Sequence, residues 1–491
     1  ALGFGVAVSV NNLFYCFVGV FLGTLIGVLP GIGPVATIAM LLPVTFTLPP
    51  VSALIMLAGI YYGAQYGGST TAILVNLPGE TSSVITCVDG YQMARKGRAG
   101  AALAIAAIGS FFAGTVCTLI IALFGPVIAE IAFEFRAPEY FSLMLMGLVA
   151  AAVLSQGDMS KSLAMVALGL LFGVVGTDLS NGVERFTFGI SELADGIGFV
   201  VIGVGVFAVG EIISNLGELE QRTLQTSRVT RIFPTREDLR KSFGPIVRGT
   251  ILGAFFGVLP GTGPAIASFS SYMVEKKVAR DPSEFGHGAI QGVAGPEAAN
   301  NADAQCKFIP MLTLGIPASG TMAMMLGALI IQGINPGPQV MSNNPDLFWG
   351  LIASMWVGNL MLLVLNLPLV GLWVSLLKVP YRLLFPAIMV FSSIGIFSVN
   401  NSTVELGLAA TFGALGFVWI KLGCPAAPML LGFVLGPMLE ENLRRAMLIS
   451  RGDPSIFFTR PISLAFLIVT ALIVLAMALP SVRRRSAGIR D

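Results

Sequence analysis

Charge is what this chain has least of. Asp, Glu, Lys and Arg make up 11% of its 491 residues, against roughly 25% in soluble domains. With 55% hydrophobic residues, that shortage excludes an ordinary soluble domain and implies a polytopic membrane protein. A net charge of +2 carries no signal for nucleic acid, and no nucleic-acid partner is expected. His287 is the single histidine. One imidazole does not build a metal site of the usual kind, and His287 is expected in a loop. The five cysteines, Cys16, Cys87, Cys117, Cys306 and Cys424, are scattered without metal-type spacing and read as small packing residues. No basic residue precedes Arg95, so the start of the chain is not expected to be a cleaved signal peptide. A Walker A sequence, a nucleophile elbow and an H-E-x-x-H motif are all missing. ATP-driven transport and intramembrane hydrolysis therefore lack support, and no enzyme is expected.

What is present is a repeat. Gly27-Val28-Leu29-Pro30-Gly31-Ile32-Gly33-Pro34 returns as Gly257-Val258-Leu259-Pro260-Gly261-Thr262-Gly263-Pro264, an offset of 230 residues from Gly27 to Gly257. Glycines at four-residue spacing precede both copies: Gly19, Gly23, Gly27 and Gly249, Gly253, Gly257. That spacing puts them on one helix face, where a second helix packs closely. Proline and glycine then break the helix. A broken helix at membrane depth in each half is the best sequence pointer to a secondary transporter's binding site. A packing kink is the plainer reading of either copy alone. The segment Gly31–Ala36 also fits G-x-G-x-x-A, but no strand precedes it and Pro34 removes a needed N–H.

The expected fold is an all-α polytopic membrane protein, with about ten to twelve transmembrane or re-entrant helices in two inverted-topology repeats. Residues 1–216 form the N-terminal membrane repeat and 249–480 the C-terminal one. A basic cytoplasmic linker, 217–248, joins them, and 481–491 is a basic tail. The second copy is also broken further on, at Leu314-Gly315-Ile316-Pro317-Ala318-Ser319-Gly320, matching Asn76–Thr81 in position with an offset of 239 from Pro78 to Pro317. An insertion near Lys276–Gly288 accounts for the extra residues. Loop charge decides the orientation. The first hairpin has no basic flank, whereas Arg240, Lys241, Arg248, Lys276, Lys277 and Arg280 surround the second. The loop after Pro78 is basic and the loop at 332–346 is not. Equivalent elements thus face opposite sides. Arg444, Arg445 and Arg451 disagree, which an interfacial helix or a miscounted span near 425–460 explains.

Broken helices expose N–H groups suited to anions and carbonyls suited to cations. Tyr66–Thr71 and Asn76 add hydroxyls and an amide, which either contact a ligand or bond back to their own helix. Glu297, Asn300, Asn301, Asp303 and Lys307 form a polar stretch beside the second break, read as an acidic loop. Charges at membrane depth are costly and functional by default. Lys307 either neutralises an anionic substrate, pairs with Asp303 or snorkels. Glu80 and Asp89 read as loop residues.

These residues resemble the large membrane subunit of tripartite tricarboxylate transporters, the TctA family. The likeness rests on both glycine-proline octets, Tyr66-Gly67-Gly68-Ser69 with Asn76-Leu77-Pro78-Gly79, Pro296–Ala302, Leu314–Pro317 and Gly436–Glu440. Ala318 stands where glycine is the expected residue. The resemblance implies a bacterial inner-membrane uptake permease. Its partners would be a small TctB-like integral membrane subunit and a periplasmic TctC-like solute-binding protein. No cofactor is implied; Na⁺ would be the coupling ion and citrate or a related carboxylate the substrate. The expected mechanism is alternating access, with elevator motion preferred. Substrate contacts would come from Gly31, Ile32, Gly33, Ser69, Thr70, Asn76, Gly261, Thr262, Gly263, Lys307 and Ser319. Ion contacts would come from Asn300, Asn301, Asp303 and Gly315. Pro30, Pro34, Pro78, Pro260, Pro264 and Pro317 would act as hinges. An ion channel or a scaffold subunit is the rival class.

Overall fold

The computed structural model describes residues 2–29, 33–155, 158–178, 181–215, 233–259, 261–376 and 381–478. They are mostly helical. The first half runs α1 (Leu2–Ala7), α2 (Val10–Val28), α3 (Pro34–Thr45), α4 (Pro50–Val75), α5 (Val84–Met93), α6 (Ala99–Ala132), α7 (Ala137–Leu154), α8 (Met159–Gly173), β1 (Gly176–Thr177), β2 (Glu184–Arg185), α9 (Phe199–Gly203) and α10 (Gly210–Asn215). The second runs α11 (Arg236–Val258), α12 (Pro264–Val278), α13 (Gln291–Cys306), α14 (Phe308–Leu314), α15 (Gly320–Ile331), α16 (Gln339–Asn343), α17 (Pro345–Asn366), α18 (Val370–Leu376), α19 (Tyr381–Asn400), α20 (Thr403–Lys421), α21 (Ala426–Ile449), α22 (Ile456–Thr459) and α23 (Pro461–Ala478). Among the described residues, α2, the bent run Thr81–Ala132, α7, α17 and α20 are long and apolar enough to cross a membrane. The bend falls at Gly97, whose φ of 76° breaks the helix between α5 and α6.

Glycine builds two closely packed helix pairs. α2 lies parallel to α4, and a Cβ at Gly19, Gly23 or Gly27 would sit 2.3, 2.4 or 2.3 Å from the carbonyl oxygens of Met56, Ile60 and Ala64. α11 lies on α13 in the same way. A Cβ at Gly249, Gly253 or Gly257 would sit 2.2, 2.2 or 2.6 Å from the carbonyls of Gly295, Ala299 and Asp303. No side chain fits at these six positions, so backbone meets backbone. Met56 to Gly295 and Ala64 to Asp303 are both steps of 239 residues. The offset therefore changes from 230 to 239 between the hairpin and the next helix. The connection after α3 is short, Phe46–Pro49, whereas the one after α12 runs from Ala279 to Ile290.

Contacts at the two ends of the 34-residue α6 locate these connections. At its start, Lys96 Nζ donates to the His287 carbonyl at 2.5 Å and Arg98 pairs with Asp238. Just beyond its other end, Phe135 and Arg136 share a cleft with Leu314 and Pro336. Near that end Gln332 Nε2 donates to the Thr45 carbonyl at 2.7 Å. Burial raises the Asp238 carboxyl, but Arg98 and the Thr235 donors outweigh it and hold the group below its usual range.

Four expectations need correction. The polar stretch 295–303 is the buried middle of α13, not a loop; Ala298, Ala299, Ala302 and Ala304 favour helix and let α11 approach. Asp89 is fully buried within α5. Its carboxylate accepts from the N–H groups of Gly286, Gly288 and Ala289 and from the Tyr272 hydroxyl. The second part of the linker, from Arg236, is helix α11, capped by Thr235 and Asp238, while residues 216–232 lie outside the described residues. The all-α expectation also gives way after α8, where Gly176 takes a φ of 114° and opens a two-stranded antiparallel hairpin. Arg444 and Arg445 lie on the continuous α21, where Glu440, Glu441 and Asp178 pair with them. His287 lies in a turn, as expected.

Candidate functional site

The two breaks repeat residue for residue. α4 ends on Asn76 in the left-handed region, φ 57°, and α14 ends on Gly315, φ 70°. Proline follows two residues later in both, at Pro78 and Pro317, a common way to stop a helix. Glu80 and Ser319 then occupy N-cap positions of the next helical turns. Each of these pairs is separated by 239 residues. Neither break carries a continuing ladder, so carbonyls at the ends of α4 and α14 lack helical partners.

The second hairpin meets the second break through Gly261. Gly261 takes a φ of 81° and donates its N–H to the Ala318 carbonyl at 3.0 Å. A Cβ there would lie 2.2 Å from Ala151 Cα, so glycine is required. Val35, next to the first tip, flanks Gly320 at the start of α15. Gly33 and Gly263 are N-caps without side-chain bonds, and Pro34 and Pro264 open α3 and α12 at the first helical position. These two prolines start helices and do not kink them. Threonines close the facing helix ends: Thr71 donates to the Val28 carbonyl at 2.8 Å, and the Thr262 hydroxyl lies 2.5 and 2.8 Å from the carbonyls of Phe256 and Leu259.

Between the breaks lies a buried polar cluster on α4 and α13. Glu297 accepts from Ser69 Oγ at 2.5 Å and from Thr86. Glu80 is hydrogen bonded to Ser82 and takes a long 3.5 Å contact from Asn300 Nδ2. Asn301 donates to Ser110 Oγ at 2.6 Å and to the Glu297 carbonyl at 3.1 Å. Lys307, at the joint between α13 and α14, is fully buried and paired with Asp303. Of the three readings of this lysine, snorkelling is thereby removed. The hydroxyls of Tyr61 and Tyr66, the Gln65 Nε2, the Asn300 Oδ1, the Asp303 Oδ1 and both Gln305 side-chain polar atoms are buried without hydrogen-bond partners. Such groups cost stability unless a ligand or water satisfies them. A small cavity lined by Tyr66, Ser69, Thr70, Ser110 and Asn366 adjoins the cluster.

The structure thus gathers Ser69, Thr70, Asn300, Asn301, Asp303 and Lys307, while Gly261, Thr262, Gly263 and Ser319 lie at the hairpin tip and break beside them. Ser319 Oγ accepts from the Met322 N–H at 3.3 Å. Asn76 is exposed and ends a helix. Pro30, Gly31, Ile32 and Pro260 lie outside the described residues. Glu80, Gln65 and Tyr61 were not singled out as site residues from sequence. Their signals were the pairing of Glu80 with Ser319 at the second offset, and the four-residue spacing of Tyr61, Gln65 and Ser69 on one face of α4.

Comparison with known proteins adds the following. The model of the tripartite tricarboxylate transporter TctA family matches residues 13–431. A protein of Agrobacterium vitis, described as an uncharacterized 52.8 kDa protein in the TAR-I ttuC' 3'region, is 59% identical over 485 residues, 99% of this chain and 97% of the relative. Another from Agrobacterium vitis, described as an uncharacterized protein in the TAR-II ttuC' 3'region, is 58% identical over 233 residues, 48% of this chain and 96% of the relative. No solved structure matches the chain.

Proposed function

The chain belongs to the tripartite tricarboxylate transporter TctA family, and from that premise we propose how this membrane permease subunit works. It imports tricarboxylates or related carboxylates by Na⁺-coupled alternating access, in a bacterial inner membrane. A periplasmic solute-binding protein delivers the substrate and a small integral membrane subunit braces the permease. Residues 1–216 and a second unit that opens with α11 at Arg236 and runs to 480 are inverted repeats joined by a cytoplasmic linker, and 481–491 carry a basic tail.

The observation that carries this reading is the pairing of two glycine-locked helices and two left-handed breaks around one buried polar cluster. Inversion draws support from the contacts at the ends of α6. The connection after α3 meets Gln332, in a loop without Lys or Arg. The connection after α12 meets Lys96, in a basic loop. The hairpins would thus enter from opposite sides. Open helix N-termini at Gly33 and Gly263 suit the substrate's carboxylates, with Ser69, Thr70 and Lys307 nearby. Bare oxygens at Asn300 and Asp303 suit the cation. Elevator motion of the hairpins fits a static partner.

The test is uptake of labelled citrate, then of other carboxylates, by proteoliposomes holding this chain and its small partner. Loaded binding protein is added outside, with or without a Na⁺ gradient. Uptake that needs both supports the reading. Ion flux without a substrate requirement would instead indicate a channel, and no uptake of any carboxylate under any gradient would sink the proposal.

A further inference from the structure

Within the cluster, the oxygens are not equally provided for. Both carboxylate oxygens of Glu297 receive a hydroxyl. Asp303 has Lys307 on Oδ2, and its Oδ1 has nothing. The Oδ1 of Asn300 also has nothing, although the residue is 1% exposed. Its orientation is fixed, because turning the amide would aim oxygen at the Glu80 carboxylate that Nδ2 now faces. Asn300 and Asp303 are three residues apart on α13 and share a helix face. Glu80 reaches that face from the first break.

Two bare, buried oxygens beside a carboxylate describe a site for a hard cation, which takes oxygen ligands. Glu80, Glu297 and Asp303 outnumber Lys307, so the cluster is short of positive charge, which a bound cation supplies. An uncompensated buried charge is costly. Lys307 already holds one oxygen of this set. Its ammonium therefore competes with any ion that needs both oxygens of Asp303.

We propose that Glu80, Asn300 and Asp303 form a sodium site, and that Lys307 occupies part of it until a substrate carboxylate draws the ammonium away. This deepens the transport reading above and rests on it for the role of the substrate. It makes coupling a consequence of one side chain with two alternative partners. The anion takes Lys307, and the freed Asp303 takes the ion. Each ligand therefore strengthens binding of the other, as linkage requires.

The experiment is thermal unfolding of the purified full-length chain, titrated with NaCl against choline chloride and KCl at constant ionic strength. Sodium that binds only the folded state raises the midpoint with concentration. The expected result is a rise specific to Na⁺ that is lost in Glu80→Gln and in Asn300→Ala. Lys307→Gln is expected to lower the half-saturating Na⁺ by a factor within the roughly 5–150-fold range of coupled sites. If that variant does not fold, citrate added to the wild type, expected to lower the same value, replaces it. A Na⁺ response that survives in both Glu80→Gln and Asn300→Ala overturns the assignment. So does a wild type that responds to pH alone, or a competitor removed without any gain in Na⁺ affinity. The titration of the chain alone uses no gradient or partner. Failed uptake beside an intact Na⁺ response would therefore remove the transport reading and leave the site. Uptake with an unchanged Na⁺ requirement in Glu80→Gln would do the reverse.

Discussion

The two halves repeat a glycine-packed helix pair and a left-handed break, and divide the chemistry. At the first break, Gly68 leaves room for Glu80: a Cβ there would lie 3.0 Å from Glu80 Cγ. The equivalent position in the second half, 239 residues on, is Lys307, and the equivalent of Glu80 is Ser319. One half thus brings a carboxylate into a glycine's space, and the other fills that place with a buried ammonium. Close backbone packing demands glycine in both halves. The polar residues are free of that demand, and they differ. A repeated frame with unlike linings produces one asymmetric site.

The comparison can be broken in order of expected effect. Lys307→Ala leaves Asp303 buried and unpaired, which costs about 3–5 kcal/mol. The double change Lys307→Met with Asp303→Leu is expected to restore most of it, as thermal unfolding of the purified variants would show. Gly23→Ala and Gly253→Ala push a methyl against a backbone carbonyl, and each is expected to cost about 1–3 kcal/mol. Similar losses in both would sharpen the claim of one frame, and a loss in only one would break it. Gly407, with open space around it, is the control: its change to alanine is expected to raise stability by up to about 1 kcal/mol.

The breaks give a finer test. Asn76→Gly keeps the left-handed turn and is expected to be nearly neutral. Gly315→Asn would place a Cβ 2.9 Å from the Pro336 carbonyl carbon, with an expected loss of about 1–3 kcal/mol. A small effect is also expected at the half-exposed Arg98 paired with Asp238, where Arg98→Ala costs at most about 1 kcal/mol. The folded state holds Asp238 below its ordinary value. Its contribution is therefore present above that value and is lost as pH falls through the lower folded one. The difference between wild type and Arg98→Ala, followed by unfolding at several pH values, should disappear in acid.

The frame was legible because sterics leave marks in sequence. Gly19, Gly23 and Gly27 with their partners at 249, 253 and 257 announced two close helix contacts. Pro78 and Pro317 announced the breaks and the second offset. The lining was less legible. Residues 295–303 carry loop-like letters, but the alanines among them and the glycine face of α11 make a buried helix. The position of Glu80 depends on a glycine twelve residues earlier, and Asp89 on a turn nearly two hundred residues later. Such long-range pairings have no local signature.

The most direct test of the central claim, that two equivalent hairpins enter from opposite sides, is sided labelling of single introduced cysteines. Thr47→Cys and Lys277→Cys place the thiols at exposed positions in or beside the two equivalent connections, read over the background of the native cysteines in oriented vesicles. The account predicts that a membrane-impermeant maleimide reaches Thr47→Cys from the outside only and Lys277→Cys from the inside only. Labelling of both from the same side would contradict it.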